Sequence, residues 1–321
     1  MVKMWTTIVL LLVLTGCIAQ EDEIDSNCII RFSAKVDNPE ITLNTRTSIS
    51  TGAVASFISG DQIGITETLT GRNNVRFSYN GSTWNTTTPM YWLDGTSVHT
   101  FYAYYPYKAT STGTTITIPN LSTQKTTTRP DSICDLLITG AKTQVRSTSA
   151  NVPLTFRHGF ALLQFNMNNG ILGLGGALLN SMTINGGNTM GGTARYGIVN
   201  RTNDVTKIGY NLTTDSILAT PNNAATYTQS FTSNTPRINL LTTSATIYVF
   251  VLPGIYQNPV PSVSFNLGLF NVKANLPNKG FSANRKYIYG TTISVLSLDT
   301  RSDTGEAEMK LTLERVEPLS P

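Results

Sequence analysis

The sequence predicts an all-β protein made of β-sandwiches, and three observations carry that reading. Only 13% of the 321 residues are charged, while Thr, Ser, Asn and Gly recur throughout. Runs of Ala, Leu, Glu and Lys at 3.6-residue spacing, which long helices need, are almost absent. Short alternating or apolar runs, separated by Gly, Asn and Pro, take their place. Without an N-terminal targeting segment about 300 residues remain, long enough for two domains of ordinary size. The formal net charge of +4 is small and dispersed. No basic block interleaves with aromatics, which excludes a nucleic-acid partner.

Taken in order, the chain opens on Lys3, a short positive start, and an apolar segment from Trp5 to Leu14. That segment is too short to cross a bilayer as a mature helix. Leu14-Thr-Gly-Cys17 follows and resembles a bacterial lipobox, whose cysteine is acylated and becomes the first mature residue. Residues 1–16 are then a lipoprotein signal peptide and Cys17 the lipidated residue. Acyl chains contribute ~0.8 kcal/mol per buried CH₂, so several together anchor a protein stably in the outer membrane. Residues 17–27 form a tether, acidic through Glu21, Asp22, Glu23 and Asp25.

The first strand alternates. Ile30, Phe32, Ala34 and Val36 face one way; Ile29, Arg31, Ser33 and Lys35 face the other. Asp37-Asn-Pro39 is a turn signal, and the polar segment after it holds one basic residue, Arg46, followed by Thr47. Gly60-Asp61 turns into a strand bearing Ile63 and Ile65. Val75, Phe77 and Tyr79 alternate up to the hairpin signal Asn80-Gly81, and the return strand carries Trp84. The most aromatic stretch runs from Val98 to Tyr107. A strand at 114–118 and a buried one at 134–138 complete a first sandwich, residues 28–150. Polar, patternless Arg146 to Ala150 marks the expected boundary. The second sandwich spans 151–321, with strands near 152–167 and 181–184. Its apolar run from Ala245 to Leu252 is expected to be a central strand covered on both faces. Val263 to Val272 and the long segment Tyr287 to Leu298 follow, and Met309, Leu311 and Leu313 share one face of a last strand.

This order of motifs resembles the fimbrillin family, the lipoprotein-derived subunits of type V pili. The resemblance rests on the lipobox ending at Cys17, the strand from Ile29 to Val36, and Arg46. It rests further on Phe57-x-x-Gly60-Asp61-x-Ile63-Gly64, on Trp84 with Pro89, Tyr91 and Trp92, and on Phe101 to Pro106. Phe156-x-His158 with Ala161, Leu162, Leu163 and Phe165, and late Gly280 with Tyr287, complete it. The polar tail from Asp299 to Pro321 and the pair Cys28 and Cys134 fall outside the family pattern. The resemblance implies two β-sandwich domains of transthyretin-like topology and assembly by strand replacement. An arginine-specific surface protease cuts between Arg46 and Thr47, the strand Ile29–Val36 (Ile29, Ile30, Phe32, Ala34, Val36) leaves, and a strand from another pilus subunit fills its groove. Donor candidates are Ile293 and Val295 in one segment and Met309, Leu311 and Leu313 in another. These residues equally serve to complete the second sandwich, which would make the chain a tip or accessory subunit rather than a stalk subunit. In the surface lipoproteins of the Bacteroidales, an acidic run like 21–25 acts as a signal for export to the cell surface.

The residue inventory points away from an enzyme. His99 and His158 lack Cys, Asp or Glu at metal-ligand spacing, so no metal or cofactor is expected. Gly173-Leu-Gly-Gly176 is not followed by Lys-Ser/Thr, and no Gly-x-Ser-x-Gly elbow occurs. Trp84, Tyr91, Trp92 and the run Phe101 to Tyr107 suit either a sandwich core or a sugar-stacking platform. The second case would make the chain a non-polymerising, glycan-binding surface lipoprotein. With Cys17 acylated, an oxidising compartment allows a bridge between Cys28 and Cys134. Such a bridge would hold the first strand in place and oppose its release.

Overall fold

The computed structural model describes residues 28–37, 56–117, 134–167, 178–179, 181–185, 209–211, 216–218, 226–230, 238–239, 245–255, 260–266, 271–278, 280–299 and 304–318. Among them there is no α-helix. The strands of the first half are β1 (Arg31–Val36), β2 (Gln62–Glu67), β3 (Arg72–Tyr79), β4 (Trp84–Asn85), β5 (His99–Tyr105), β6 (Thr115–Thr117), β7 (Leu137–Ile138), β8 (Lys142–Gln144) and β9 (Asn151–His158). Then come β10 (Ala161–Met167), β11 (Leu178–Leu179), β12 (Ser181–Asn185), β13 (Gly209–Asn211), β14 (Ser216–Leu218), β15 (Thr226–Ser230) and β16 (Ile238–Asn239). The last are β17 (Ala245–Val251), β18 (Gly254–Ile255), β19 (Ser262–Asn266), β20 (Asn271–Asn275), β21 (Gly280–Phe281), β22 (Arg285–Asp299) and β23 (Thr304–Pro318).

The first half forms one eight-stranded sheet in the order β1-β9-β7-β5-β2-β3-β4, with β8 paired to the start of β5. Period-two alternation turns Ile63, Ile65, Phe77, Phe101 and Phe156 to one core. The sheet bends round on itself: Ile29, just before β1, bridges Tyr91, a little beyond β4. Asn80-Gly81 makes the expected hairpin, pairing Tyr79 with Trp84. Asn80 Oδ1 accepts the N–H groups of Ser82 (2.9 Å) and Thr83 (2.8 Å), a side chain standing in for a backbone turn acceptor.

The second half is a sandwich of two four-stranded sheets, β17-β10-β22-β23 and β15-β12-β19-β20. Leu163 and Phe165 of β10, Ile247 and Val249 of β17, and Ile184 and Phe265 of the facing sheet fill the space between. The expected run from Val263 to Val272 divides into the hairpin β19–β20. Strand β23 starts at Thr304, within the polar stretch expected to precede the last strand.

Two sequence-level expectations shift. The division at 150/151 falls before β9, yet β9 pairs with β1 and β7 in the first sheet. The chain crosses at Gly159-Phe160 instead. A Cβ at Gly159 would stand 2.8 Å from Leu136 Cδ2, so the crossover needs glycine. The apolar run 245–252 is covered on both faces, but β17 lies at the end of its sheet rather than in the middle. Its second cover comes from the first domain. Tyr248, Phe250 and Leu252 pack with Phe160 and Leu162, and with Tyr102 and Tyr104 from the outer face of β5. One apolar cluster thus joins the two domains, and burial pushes the phenols of Tyr104 and Tyr248 up from their ordinary pKa.

Phe160 is fully buried at that junction. Phe160→Ala is expected to cost about 3–5 kcal/mol, read as a lowered midpoint in urea unfolding followed by tryptophan fluorescence.

Candidate functional site

The first strand sits at the end of the sheet and runs parallel to β9, with Arg31 opposite Asn151 and Val36 opposite Phe156. Ile30, Phe32 and Val36 are buried, and Ala34 packs against the same core. Phe32 meets Phe77 edge-on at 5.0 Å and Phe101 at 5.4 Å between centroids. T-shaped pairs of this kind add to what burial of the ring supplies. Below the strand lie Val152, Leu154 and Phe156, each almost fully buried. On its other side, among the described residues, the bonds are at its start. The Ile30 N–H donates to Met90 O at 2.9 Å, and the Trp92 N–H donates to Cys28 O at 2.9 Å. Three such side chains are worth ~1.5–3 kcal/mol each while covered. Without β1, an apolar groove and the unpaired edge of β9 would face water, an edge that proteins keep covered.

Both flanks of the next segment meet at one residue. The Asp37 N–H donates to Phe156 O at 2.6 Å. Phe57, on the far side of that segment, packs edge-on against the Phe156 ring at 5.2 Å, and against Trp84 and Tyr105. Arg46 and Thr47 belong to 38–55 and lie outside the described residues, as does Cys17.

The C-terminal candidate strands pack within their own domain. Strand β22 runs parallel to β10 from Arg285 to Thr291, and β23 pairs antiparallel with β22 along its length. Ile293 and Met309 are buried in the second core, and Leu311 and Leu313 pack against it. Val295 lies opposite Ala307 in the same hairpin. The polar position between them is also committed: a Cβ on Gly290 would meet Glu314 Oε1 at 2.4 Å.

The allowed bridge between Cys28 and Cys134 is not formed. Cys134 is buried in the interdomain cluster, while Cys28 lies at the start of β1, where its sulfur accepts from Arg146 Nη1 at 3.3 Å. Cys134 belongs to that cluster, whereas Cys28 is half-buried and belongs to none of the apolar cores. No disulfide therefore ties the strand to the segment that holds Cys134.

Each histidine has a carboxylate the sequence did not reveal, because the partner lies on another strand. His158 Nδ1 is 2.9 Å from Asp135 Oδ1, and both side chains are fully buried. His99 Nδ1 is 3.1 Å from Glu67 Oε1, also fully buried. His99 Nε2 accepts the Leu93 N–H at 3.1 Å. Glu67 accepts the N–H groups of Leu69 and Thr70, both at 2.8 Å, and the Thr70 hydroxyl. The pair thus fixes two loops at one end of the sheet. Among the described residues no group of three or more His, Cys, Asp or Glu could hold a metal ion. The aromatic run is covered on both faces, by the first core at Phe101 and Ala103 and by the interdomain cluster at Tyr102 and Tyr104.

The fimbrillin-like family model matches residues 45–310, well over half of the chain. The chain belongs to the fimbrillin-like family. A fimbrium tip subunit of Bacteroides ovatus is 37% identical over 108 residues, 31% of this chain and 20% of that protein. The match thus spans about a fifth of that relative's length. Two solved structures of cell adhesion proteins share the fold. One from Bacteroides uniformis superposes with a TM-score of 0.55 at 18% identity, covering 89% of this chain and 99% of that one. One from Bacteroides ovatus gives 0.57 at 17% identity, covering 91% and 98%. In this fimbrillin-like protein the edge strand β1, which precedes the matched residues, and the aromatic strand β5 belong to one sheet.

Two outcomes follow for the geometry. Phe32→Ala empties the site between Phe77 and Phe101 and should cost about 3–5 kcal/mol in urea unfolding of the full chain. The Asp94 carboxyl is held down to about 2 by the Ser97 hydroxyl and by the N–H groups of Ser97 and Thr96. Its folded pKa lies below the ordinary value of 3.8, so the turn's bonds should persist from neutral pH down past 3.8. They should fail as the pH falls through about 2, read from the amide shifts of Thr96 and Ser97.

Proposed function

We propose that this protein is a non-enzymatic subunit of a surface fimbrium that accepts a donor strand, at a tip or accessory position. It is made as a lipoprotein acylated at Cys17 and held in the outer membrane. An arginine-specific surface protease cuts between Arg46 and Thr47. The strand Ile29–Val36 then leaves, and a strand from another subunit takes its place beside β9.

The observation that carries the proposal is the placement of β1. It is an edge strand, it fills a core groove with alternate side chains, and no disulfide ties it down. The segment holding Arg46 leaves and returns at Phe156. A cut there would free the strand yet leave Phe57 seated in the core. The tip or accessory position is supported by Ile293, Met309, Leu311 and Leu313, which complete the protein's own second core. A chain so built has a groove to fill, and its described C-terminal strands are committed to its own core. The fimbrium tip subunit it resembles supports the same position. The glycan-platform reading loses its main support, because Trp92, Tyr102 and Tyr104 are buried.

Treating the purified precursor with an arginine-specific protease should yield a chain beginning at Thr47. That chain should stay monomeric alone and bind a synthetic peptide with the sequence of Ile29 to Val36. Arg46→Ala should block both steps. A cleaved chain that polymerises by itself would make it a stalk subunit, and cleavage elsewhere would remove the strand-release mechanism.

A further inference from the structure

We infer that the end of the first domain remote from the second is a membrane-contacting face, on which the acylated precursor rests its loops against the lipid surface holding Cys17. This rests on the lipoprotein reading above. Five large apolar side chains are exposed among the described residues: Ile58, Leu69, Leu93, Val98 and Val316. Single ones are ordinary on a soluble surface. Three of these, Leu69, Leu93 and Val98, hang from one buried pair. Leu93 is bonded to His99, Leu69 to Glu67, and Val98 directly precedes His99. Leu93 is 62% exposed and Val98 56%. The turn between them is fixed by the Asp94 carboxylate. These apolar side chains are thus presented on ordered loops, so contact requires little further ordering.

The position of this face suits a bilayer. Leu137 lies opposite His158 and next to Tyr105 across the sheet, so the domain crossover is level with the end of β5. His99 begins β5, six residues away, roughly 20 Å at ~3.3 Å per residue. The tether enters at that same end, since the Trp92 N–H donates to Cys28 O. From Cys17 to Cys28 the chain can reach at most about 38 Å. The anchored end of the domain is therefore the end that carries the apolar loops. Charge agrees: Arg31 and Arg72 are exposed there, and Arg146 lies beside the turn through the Ser147 N–H bonded to Gly95 O at 3.2 Å. Among the described residues, the carboxylates at this end are Glu67, which is buried, and Asp94, whose oxygens are taken up by Thr96 and Ser97. Arginines beside apolar loops suit anionic headgroups over acyl chains, while the acidic residues 21–25 leave the tether as a spacer. Cleavage after Arg46 would release the face together with the anchor.

The test uses full-length acylated precursor on vesicles of phosphatidylethanolamine and phosphatidylglycerol, compared with its Cys17→Ser form in solution. Backbone hydrogen exchange is read at 68–71, at 92–98, and at 57–60 around exposed Ile58 at the opposite end. Exchange should slow on vesicles in the first two segments and stay unchanged in the third. Leu93→Ser with Val98→Ser should abolish the slowing at 92–98 while the protein still floats with the vesicles. Equal exchange on and off vesicles, with flotation retained, would overturn the membrane face and leave the lipid anchor standing. Loss of flotation in the acylated wild type would overturn the anchor, and this inference with it.

Discussion

The placement of one ring, Phe32, between Phe77 and Phe101 is the contact on which the first domain depends. The ring belongs to a strand that enters the fold before the rest of the sheet has begun. Its partner β9 is the last strand of that sheet, and parallel pairing between the two joins residues about 120 apart in sequence. Such a contact closes a long loop and leaves the strand on an edge of the sheet. Its burial is shared with β9 and with the Met90–Trp92 segment.

The second constraint is the apolar cluster between the domains. Tyr102 and Tyr104 would form an outward aromatic face on an isolated sheet, but here they meet Phe160, Leu162, Tyr248 and Phe250. The same contact explains why β17 is apolar throughout although it lies at the end of its sheet. One face belongs to the second core and the other to the first domain. The His99 loops lie at the end of the first sheet remote from this cluster, while the strand groove runs from that end to Phe156 near the crossover.

Periodicity made much of this legible. The alternation from Ile30 to Val36 and the hairpin at Asn80-Gly81 are local patterns, and each is found where the pattern put it. The boundary near 150 was missed because a polar loop looks like a linker whether or not the chain has finished its sheet; β9 still had to pair with β1. The sequence leaves open whether Cys28 and Cys134 are bridged, because nothing local in it says how near the two thiols come; they are not bridged. Glu67 and Asp135 carried no signal, since their histidines lie on other strands.

The sequence by itself determined the class of fold and the inward face of nearly every strand, because a period of two is written residue by residue. Only the tertiary structure decided that the first strand is an edge strand parallel to β9, that the C-terminal apolar residues belong to their own core, and that the aromatic run is covered on both sides. The reason is physical. Which side chains face inward is a local property of the pleat, whereas which strand lies beside which is settled by apolar surface closing between distant segments.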